Sequence, residues 1–460
     1  GLIVSTYSVR NLRGQVRVDR FGWILTASFL ALTVMVTAAS LPLIALGWTV
    51  SGLLLAALVA HRPSRSAQRA ARSVRRTLLI GDAFLWAGVI AAYVALPSVD
   101  RADLAGATPS VALGLAAAAL GAAALVRSAL VPFSGWLPLT AEAPSPVSAY
   151  LHAGVVNGTG VLVALLWPIF AATQIVLGAF ILIGLATAVI ATVVSKHRPD
   201  VKGQLAASTS AQMGYMTLQL GLGLPAAAVL HLIGHGYYKA WMFLRAGGAV
   251  TRQRSVTAIP RIVGGQRIAG IALSVLAVAG TVALVLPLIL DTLRLLGPAS
   301  ALPVVAAALT AAVAVYSVWA RLSPSRIAAS VIGFATVIAT LVGYLLVLTA
   351  WDNAVAGALP EVAIWSAPVA VAWLVLVAVA AVGMTVAVRR SVQEPDAPLA
   401  VAALTSAIPL GARAYGAPAA APAADAVDET VAVELVRTAA QVVAPAFPLR
   451  SVVAANPLAN

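Results

Sequence analysis

The sequence predicts an all-α, polytopic membrane protein with about twelve transmembrane helices. Three observations predict it. Hydrophobic residues make up 61% of the 460 and charged residues only 10%, against about 45–50% and about 25% in an ordinary soluble domain. Apolar runs of roughly 18 residues or more, each long enough to cross a bilayer as a helix, recur along the chain. The loops between them alternate between basic and neutral or acidic, as the positive-inside rule produces.

The apolar runs fall near 22–39, 41–60, 78–97, 112–141, 146–170, 172–194, 204–222, 225–248, 269–293, 301–319, 328–349 and 363–388. The run at 112–141 is too long for one straight crossing. It contains Pro132, and proline removes a backbone donor and kinks a helix, so a break is expected there. The basic loops are 10–20, 61–76 (HRPSRSAQRAARSVRR), 195–202 (SKHRPDVK), 251–267, 320–326 and 389–390. Those between them are short and neutral or acidic, such as SVDRADL at 98–104 and WDNAVAGALPE at 351–361. With every span counted, the basic loops share one side, which puts the start of the chain and its C-terminus in the cytoplasm. Residues 1–21 read as a cytoplasmic N-terminal segment and 22–390 as the transmembrane domain. An Ala/Pro-rich cytoplasmic linker follows at 391–433, and a more ordered pattern resumes at 434–460. The abrupt opening GLIVSTYSVRNLRGQVRVDRF lacks an initiator Met and predicts a missing upstream portion.

The net charge of +14 does not imply nucleic acid, because the basic residues sit in short loops between apolar runs. The chain has no Cys, which excludes disulfides, thiolate metal sites and Cys nucleophiles.

Charges inside the bilayer cost at least about 2.5–3.5 kcal/mol each and usually mark function. The few candidates lie between residues 82 and 239. In HLIGHGYYKAWMFLRAGG (231–248), His231, His235 and Lys239 recur every four residues and share one helix face. Three readings fit that stripe. HLIGH lacks the Glu of a zinc-protease HExxH site, and no Cys completes a structural site, so metal binding is disfavoured. Polar contacts between helices and a proton relay both remain, and a titratable His and a desolvated Lys favour the relay. His152, in PSPVSAYLHAGVVNGTG, lies about two turns into an apolar span among small residues. It reads as a satisfied core histidine or as a companion of the stripe. Arg127, in AAALVRSALVPFSGWLPL, sits near mid-membrane if the helix breaks at Pro132, and otherwise snorkels to the interface. Asp82, in RRTLLIGDAFLW, is placed to pair with Arg75 or Arg76. Glu142 reads as interfacial, and Lys196, Asp200 and Lys202 as loop charges.

These residues carry a resemblance. PLTAEAPSPVSAYLHAGVVNGTGVLV, KGQLAASTSAQMGYMTLQLGLG and HLIGHGYYKAWMFLRAGG resemble, in order and spacing, blocks of the antiporter-like membrane subunits of respiratory complex I and of Mrp-type cation/proton antiporters. With their connecting spans they cover roughly 10–250. The resemblance implies an antiporter-like fold with at least one broken helix. It places His152, His231, His235 and Lys239 on a central hydrophilic axis, Arg127 at the broken-helix lysine, and Asp82 at the aspartate of an RVGD-type segment. Two departures stand out. Thr49, in GWTV, occupies the place of a glutamate that pairs with that lysine, and the run at 269–290 holds no charge in place of a second broken-helix lysine.

The variant LHAGVVN resembles the DabB branch, the membrane subunits of two-component inorganic-carbon accumulation complexes. The tail APAFPLRSVVAANPLAN resembles the start of the DabA partner, a zinc carbonic-anhydrase-like protein. The resemblance implies a bacterial inner-membrane subunit that conducts protons or Na+ for a DabA-like partner, separate or fused, with no cofactor, metal or enzymatic reaction of its own. A complex I-like or Mrp-like antiporter subunit is the alternative.

Overall fold

The computed structural model describes residues 1–198, 200–246, 326–357 and 364–393, with isolated positions at 272, 276 and 359. The expected spans at 269–293 and 301–319, the loop 251–267, nearly all of the linker and the whole of 434–460 lie outside the described residues. The described residues belong to one compact unit within Gly1–Ala414. They are helical, with one isolated β-bridge between Ser40 and Asp100.

The helices are α1 (Leu2–Asn11), α2 (Val18–Thr37), α3 (Leu41–Val59), α4 (Arg65–Ala95) and α5 (Val111–Arg127). There follow α6 (Ser145–Ala153), α7 (Gly158–Leu165), α8 (Trp167–Ala171), α9 (Gln174–His197), α10 (Val201–Gly221) and α11 (Pro225–Ala246). The late helices are α12 (Arg326–Val355) and α13 (Ala367–Gln393). Among the described residues six stretches are long and apolar enough to cross a membrane: α2, α3, α4, Ser145–Leu165, α9 and Ala367–Val388. The expected spans at 204–222 and 225–248 also fold as helices, but their Ser, Thr, Gln, His and Lys residues make them less apolar.

Three expectations need correction. The basic loop at 61–76 is mostly helix, since α4 begins at Arg65. The Ser64 side chain accepts a hydrogen bond from the Ala67 amide, a cap worth about 1 kcal/mol. The Arg and Ala residues that follow are good helix formers. The long span at 112–141 stops earlier than Pro132: α5 ends at Arg127, and Ala129 takes a left-handed φ of 52°. Pro132 and Pro138 prevent the helix from resuming, and the chain continues in short 3-10 turns over Ser134–Trp136 and Pro138–Glu142. The span at 146–170 is broken as well, at Gly154 and again before Trp167. Asn157 Nδ2 donates to the Ala153 carbonyl at 2.9 Å, satisfying an acceptor that the break frees.

Lipid tails are as apolar as the side chains, so close backbone packing rather than the hydrophobic effect holds such helices together. A Cβ built on Gly184 of α9 would lie 2.6 Å from the Gly214 carbonyl oxygen of α10, and one on Gly214 would lie 2.6 Å from that of Gly184. Only glycine permits that crossing. Inside the bundle the largest buried side chains include Trp48, Trp136, Tyr150 and Trp167.

Candidate functional site

Arg127 is the last residue of α5 and is only 3% exposed. Its guanidinium reaches across to α3, donating to the Trp48 carbonyl at 2.6 Å and to Ser51 Oγ at 3.2 Å, and lies 4.4 Å from the Trp48 ring centroid. Two glycines make room for it. A Cβ on Gly52 would meet the guanidinium at 3.1 Å, and one on Gly158 would meet Arg127 Cγ at 2.5 Å. Asp82 of α4 supplies the countercharge, with Oδ1 3.7 Å from Arg127 Nη2. That corrects the expected pairing of Asp82 with Arg75 or Arg76. Both of those arginines are exposed while Asp82 is buried, and seven residues of helix, about 10 Å, separate Arg75 from it. Thr49 turns to α4 instead, where its Oγ1 accepts from Trp86 Nε1 at 3.2 Å.

The second cluster is built on α11, whose 22 residues carry their buried polar side chains on one stripe. Lys239 is 1% exposed. Its Nζ donates to the Leu205 carbonyl at 3.1 Å and to Ser208 Oγ at 3.0 Å, both on α10. One turn earlier, His235 is 6% exposed, and neither ring nitrogen has a hydrogen-bond partner in the protein. One turn earlier again, His231 Nδ1 lies 3.1 Å from Gln219 Oε1, and its ring centroid is 6.1 Å from that of His235. The Tyr215 ring stands 5.4 Å from His231.

Helix α6 joins the two clusters. Gly236 lets α11 cross it closely, since a Cβ there would lie 3.0 Å from the Ala153 carbonyl oxygen. His152 is fully sequestered and stacks on Phe243 of α11, centroids 4.1 Å apart at an interplanar angle of 9°. It lies within electrostatic reach of Lys239, His235 and Lys202. Tyr150, two residues earlier and so on nearly the opposite face, lies within electrostatic reach of Arg127 and donates to the Ser28 carbonyl at 3.4 Å. Where α5 ends and α7 begins, Thr159 bonds to Ser128 Oγ through its amide, 2.8 Å, and its hydroxyl, 2.9 Å.

All six residues singled out in the sequence are therefore on two adjoining clusters: Asp82 with Arg127, and His152 with His231, His235 and Lys239. Sequence reasoning misses Ser51, Ser128, Thr159, Asn157, Ser208, Tyr215 and Gln219. For Asn157, Thr159 and Ser208 the signal is a density of hydroxyl and amide side chains in NGTG and STSAQ, unusual for apolar spans; Ser51, Ser128, Tyr215 and Gln219 carry no such signal. Lys202 also departs from its reading as a loop charge. It opens α10, and its Nζ donates to the carbonyls of Ala141 and Ala143, at 3.2 and 2.7 Å, fastening the irregular segment after α5. Glu142 accepts from Ser66 Oγ at 2.9 Å. Among the described residues no three His, Asp or Glu side chains converge as a metal site requires.

Residues 38–323 match the family model for the transmembrane domain of NADH:quinone oxidoreductase and Mrp antiporters, more than half of the chain. The chain belongs to this family. Within the family, the probable inorganic carbon transporter subunit DabB1 of Halothiobacillus neapolitanus is 33% identical over 269 residues, covering 56% of this chain and 48% of that protein. The probable subunit DabB of Hydrogenovibrio crunogenus is 44% identical over 135 residues, 29% of this chain and 26% of that one. The chloroplastic NAD(P)H-quinone oxidoreductase subunit 5 of Nandina domestica is 32% identical over 56% of this chain and 36% of its own length. The chain thus spans about half the length of the first curated relatives it matches. Among solved structures, the Mrp complex from Dietzia sp. DQ12-45-1b aligns over 99% of this chain and 55% of that one, with TM-score 0.55 and 22% identity. These likenesses establish a helical membrane protein of the antiporter-like fold, as the three sequence blocks imply.

Proposed function

We propose that this chain is the proton-conducting membrane subunit of an inorganic-carbon (CO2 or bicarbonate) accumulation complex. It resides in a bacterial inner membrane with its C-terminus in the cytoplasm. A proton or Na+ gradient, acting through it, drives a DabA-like, carbonic-anhydrase-like zinc partner, separate or fused beyond the linker at 391–433. The observation that carries the conducting role is the burial of Asp82, Arg127, His152, His235 and Lys239, with His231 beside them, in the apolar body of an antiporter-like chain. Burying so many ionisable groups is expensive, and such residues inside a membrane usually mark function. The similarity to two probable inorganic carbon transporter subunits supports the carbon-accumulating role.

The roles differ by chemistry. A guanidinium does not give up its proton in a protein, so Arg127 acts as a fixed charge that sets the proton affinity of Asp82. The imidazoles and the Lys239 amine carry protons. His235 relays, since both its ring nitrogens are free of protein partners. Lys239, held by a neutral carbonyl and a hydroxyl, binds and releases a proton without breaking an ion pair.

The test is growth of a carbonic-anhydrase-deficient host at ambient CO2, with the full-length protein and a DabA-like partner co-expressed. Lys239→Ala and His235→Ala are expected to abolish rescue; full rescue by both would leave only a scaffold. A second reading, a complex I-like or Mrp-like antiporter subunit, is favoured by the alignment with the Mrp complex along 99% of the chain. Sodium-dependent proton exchange in vesicles that lack the partner would select it.

A further inference from the structure

The break after α5 creates a feature that the proton path does not use. Between the irregular segment, α9 and α10 lies a cleft of about 240 Å³. Thr187, Ile190, Ala191 and Val194 line it from one face of α9, and Arg198 from just past the end of that helix. From Thr187 to Arg198 that wall runs about 16 Å at 1.5 Å per residue. Gly203 and Ala207 of the antiparallel α10 form the second wall, and Val131 and Pro132 belong to the third. The cleft is mostly apolar, with Ser134, Thr187 and Ser210 as its neutral polar lining, and ends at a cation, Arg198, in the basic loop SKHRPDVK. Ile190 is 48% exposed, so the slot opens sideways toward lipid.

Its walls are fixed at both ends. At the deep end the Val131 amide donates to Thr187 Oγ1 at 3.1 Å. At the loop end Lys202 clamps the carbonyls of Ala141 and Ala143 to α10. Arg198 is the cation at that end. It forms a 3.0 Å ion pair with Asp200, which also caps α10 through the Gly203 amide. A guanidinium has five donors, and Nε and Nη2 are the two turned to Asp200. Lys196, near the end of α9, is exposed.

We infer that this cleft binds an anionic phospholipid from the leaflet next to the basic loops, one acyl chain along α9 and its phosphate on Arg198. A slot as long as several helical turns, mostly apolar inside, open to the bilayer and basic at its interfacial end fits an amphiphile of that polarity. Basic pockets between helices at this depth recognise anionic headgroups. The bound chain would pack against Val131 and Pro132, and so steady the segment that follows Arg127.

The test does not depend on transport. The full-length protein, purified in mild detergent, is titrated with phosphatidylglycerol or phosphatidylcholine while its melting temperature is followed, and retained lipid is identified by native mass spectrometry. A saturable rise in melting temperature with phosphatidylglycerol is expected, with a co-purified anionic phospholipid, and inorganic phosphate should not reproduce it. Ala191→Trp, which fills the slot, should abolish both. Arg198→Gln should remove the preference for phosphatidylglycerol over phosphatidylcholine. An equal rise with both lipids in the unaltered protein, or an unchanged rise in Ala191→Trp, would overturn the inference. If Ala191→Trp does not fold, Val194→Phe is the second slot-filling variant and is read the same way.

Discussion

The two polar clusters are built on opposite principles. Around Arg127 the packing is close: Gly52 leaves room for the guanidinium and Gly158 for its aliphatic stem, Trp48 covers it, and Asp82 balances it. Around Lys239 the partners are neutral, and His235 is held by no hydrogen bond at all. A buried charge with a countercharge is a fixed element, because removing either partner strands the other. A buried amine among neutral acceptors can change protonation at lower cost. The contrast assigns electrostatic control to the first cluster and proton movement to the second.

The largest expected effect breaks the first cluster. Asp82→Ala leaves an uncompensated buried guanidinium and should cost about 3–5 kcal/mol, read as a lowered unfolding midpoint in detergent. An unchanged midpoint would mean that Asp82 and Arg127 are not coupled. Lys239→Met should be milder for the fold, about 1–3 kcal/mol for the acceptors left on α10, yet should abolish carbon-dependent growth. A variant that grows normally would remove Lys239 from the path. Arg127→Lys keeps the charge and loses the fork, so growth should fall less than in Arg127→Met; equal loss would show that geometry and not charge is required. His152→Phe preserves the stacked contact with Phe243 and should leave the melting temperature nearly unchanged while reducing growth. The smallest effect lies outside both clusters. Burial, and then Arg62, Arg20 and Arg17, hold the His61 imidazole below its ordinary value. A base with a lowered folded pKa contributes stability that is present above the ordinary imidazole range and lost as pH falls through the folded value. Melting temperature should therefore drop slightly from pH 7.5 to 5.5, and the slope should flatten in His61→Phe.

What is legible in the sequence follows the same division. The stripe on α11 is readable because a four-residue rhythm is local and helical geometry converts it directly into a face. The partner of Asp82 is not, because Arg127 lies 45 positions away in the chain and the candidates nearby, Arg75 and Arg76, are adjacent only in sequence. Pro132 signals a break, but its start at Arg127 depends on the packing of Ser128 against Thr159, a contact between distant elements. The break at Gly154 has a local signal of its own in GVVNGTG, where Asn157-Gly158 is a turn dipeptide, but the apolar run around it reads as one continuous span. Thr49 reads as a missing carboxylate, although Asp82, on the neighbouring helix, is the group facing the cation.

The central claim, that protons move through the second cluster under the control of the first, is tested most directly by proton flux into liposomes. The full-length protein and its partner would be reconstituted together, and an imposed pH gradient followed with a trapped dye. The account predicts rapid, uncoupler-like collapse for the unaltered complex and none for Lys239→Met or His235→Ala, with Arg127→Lys intermediate. Equal flux in all four would contradict it.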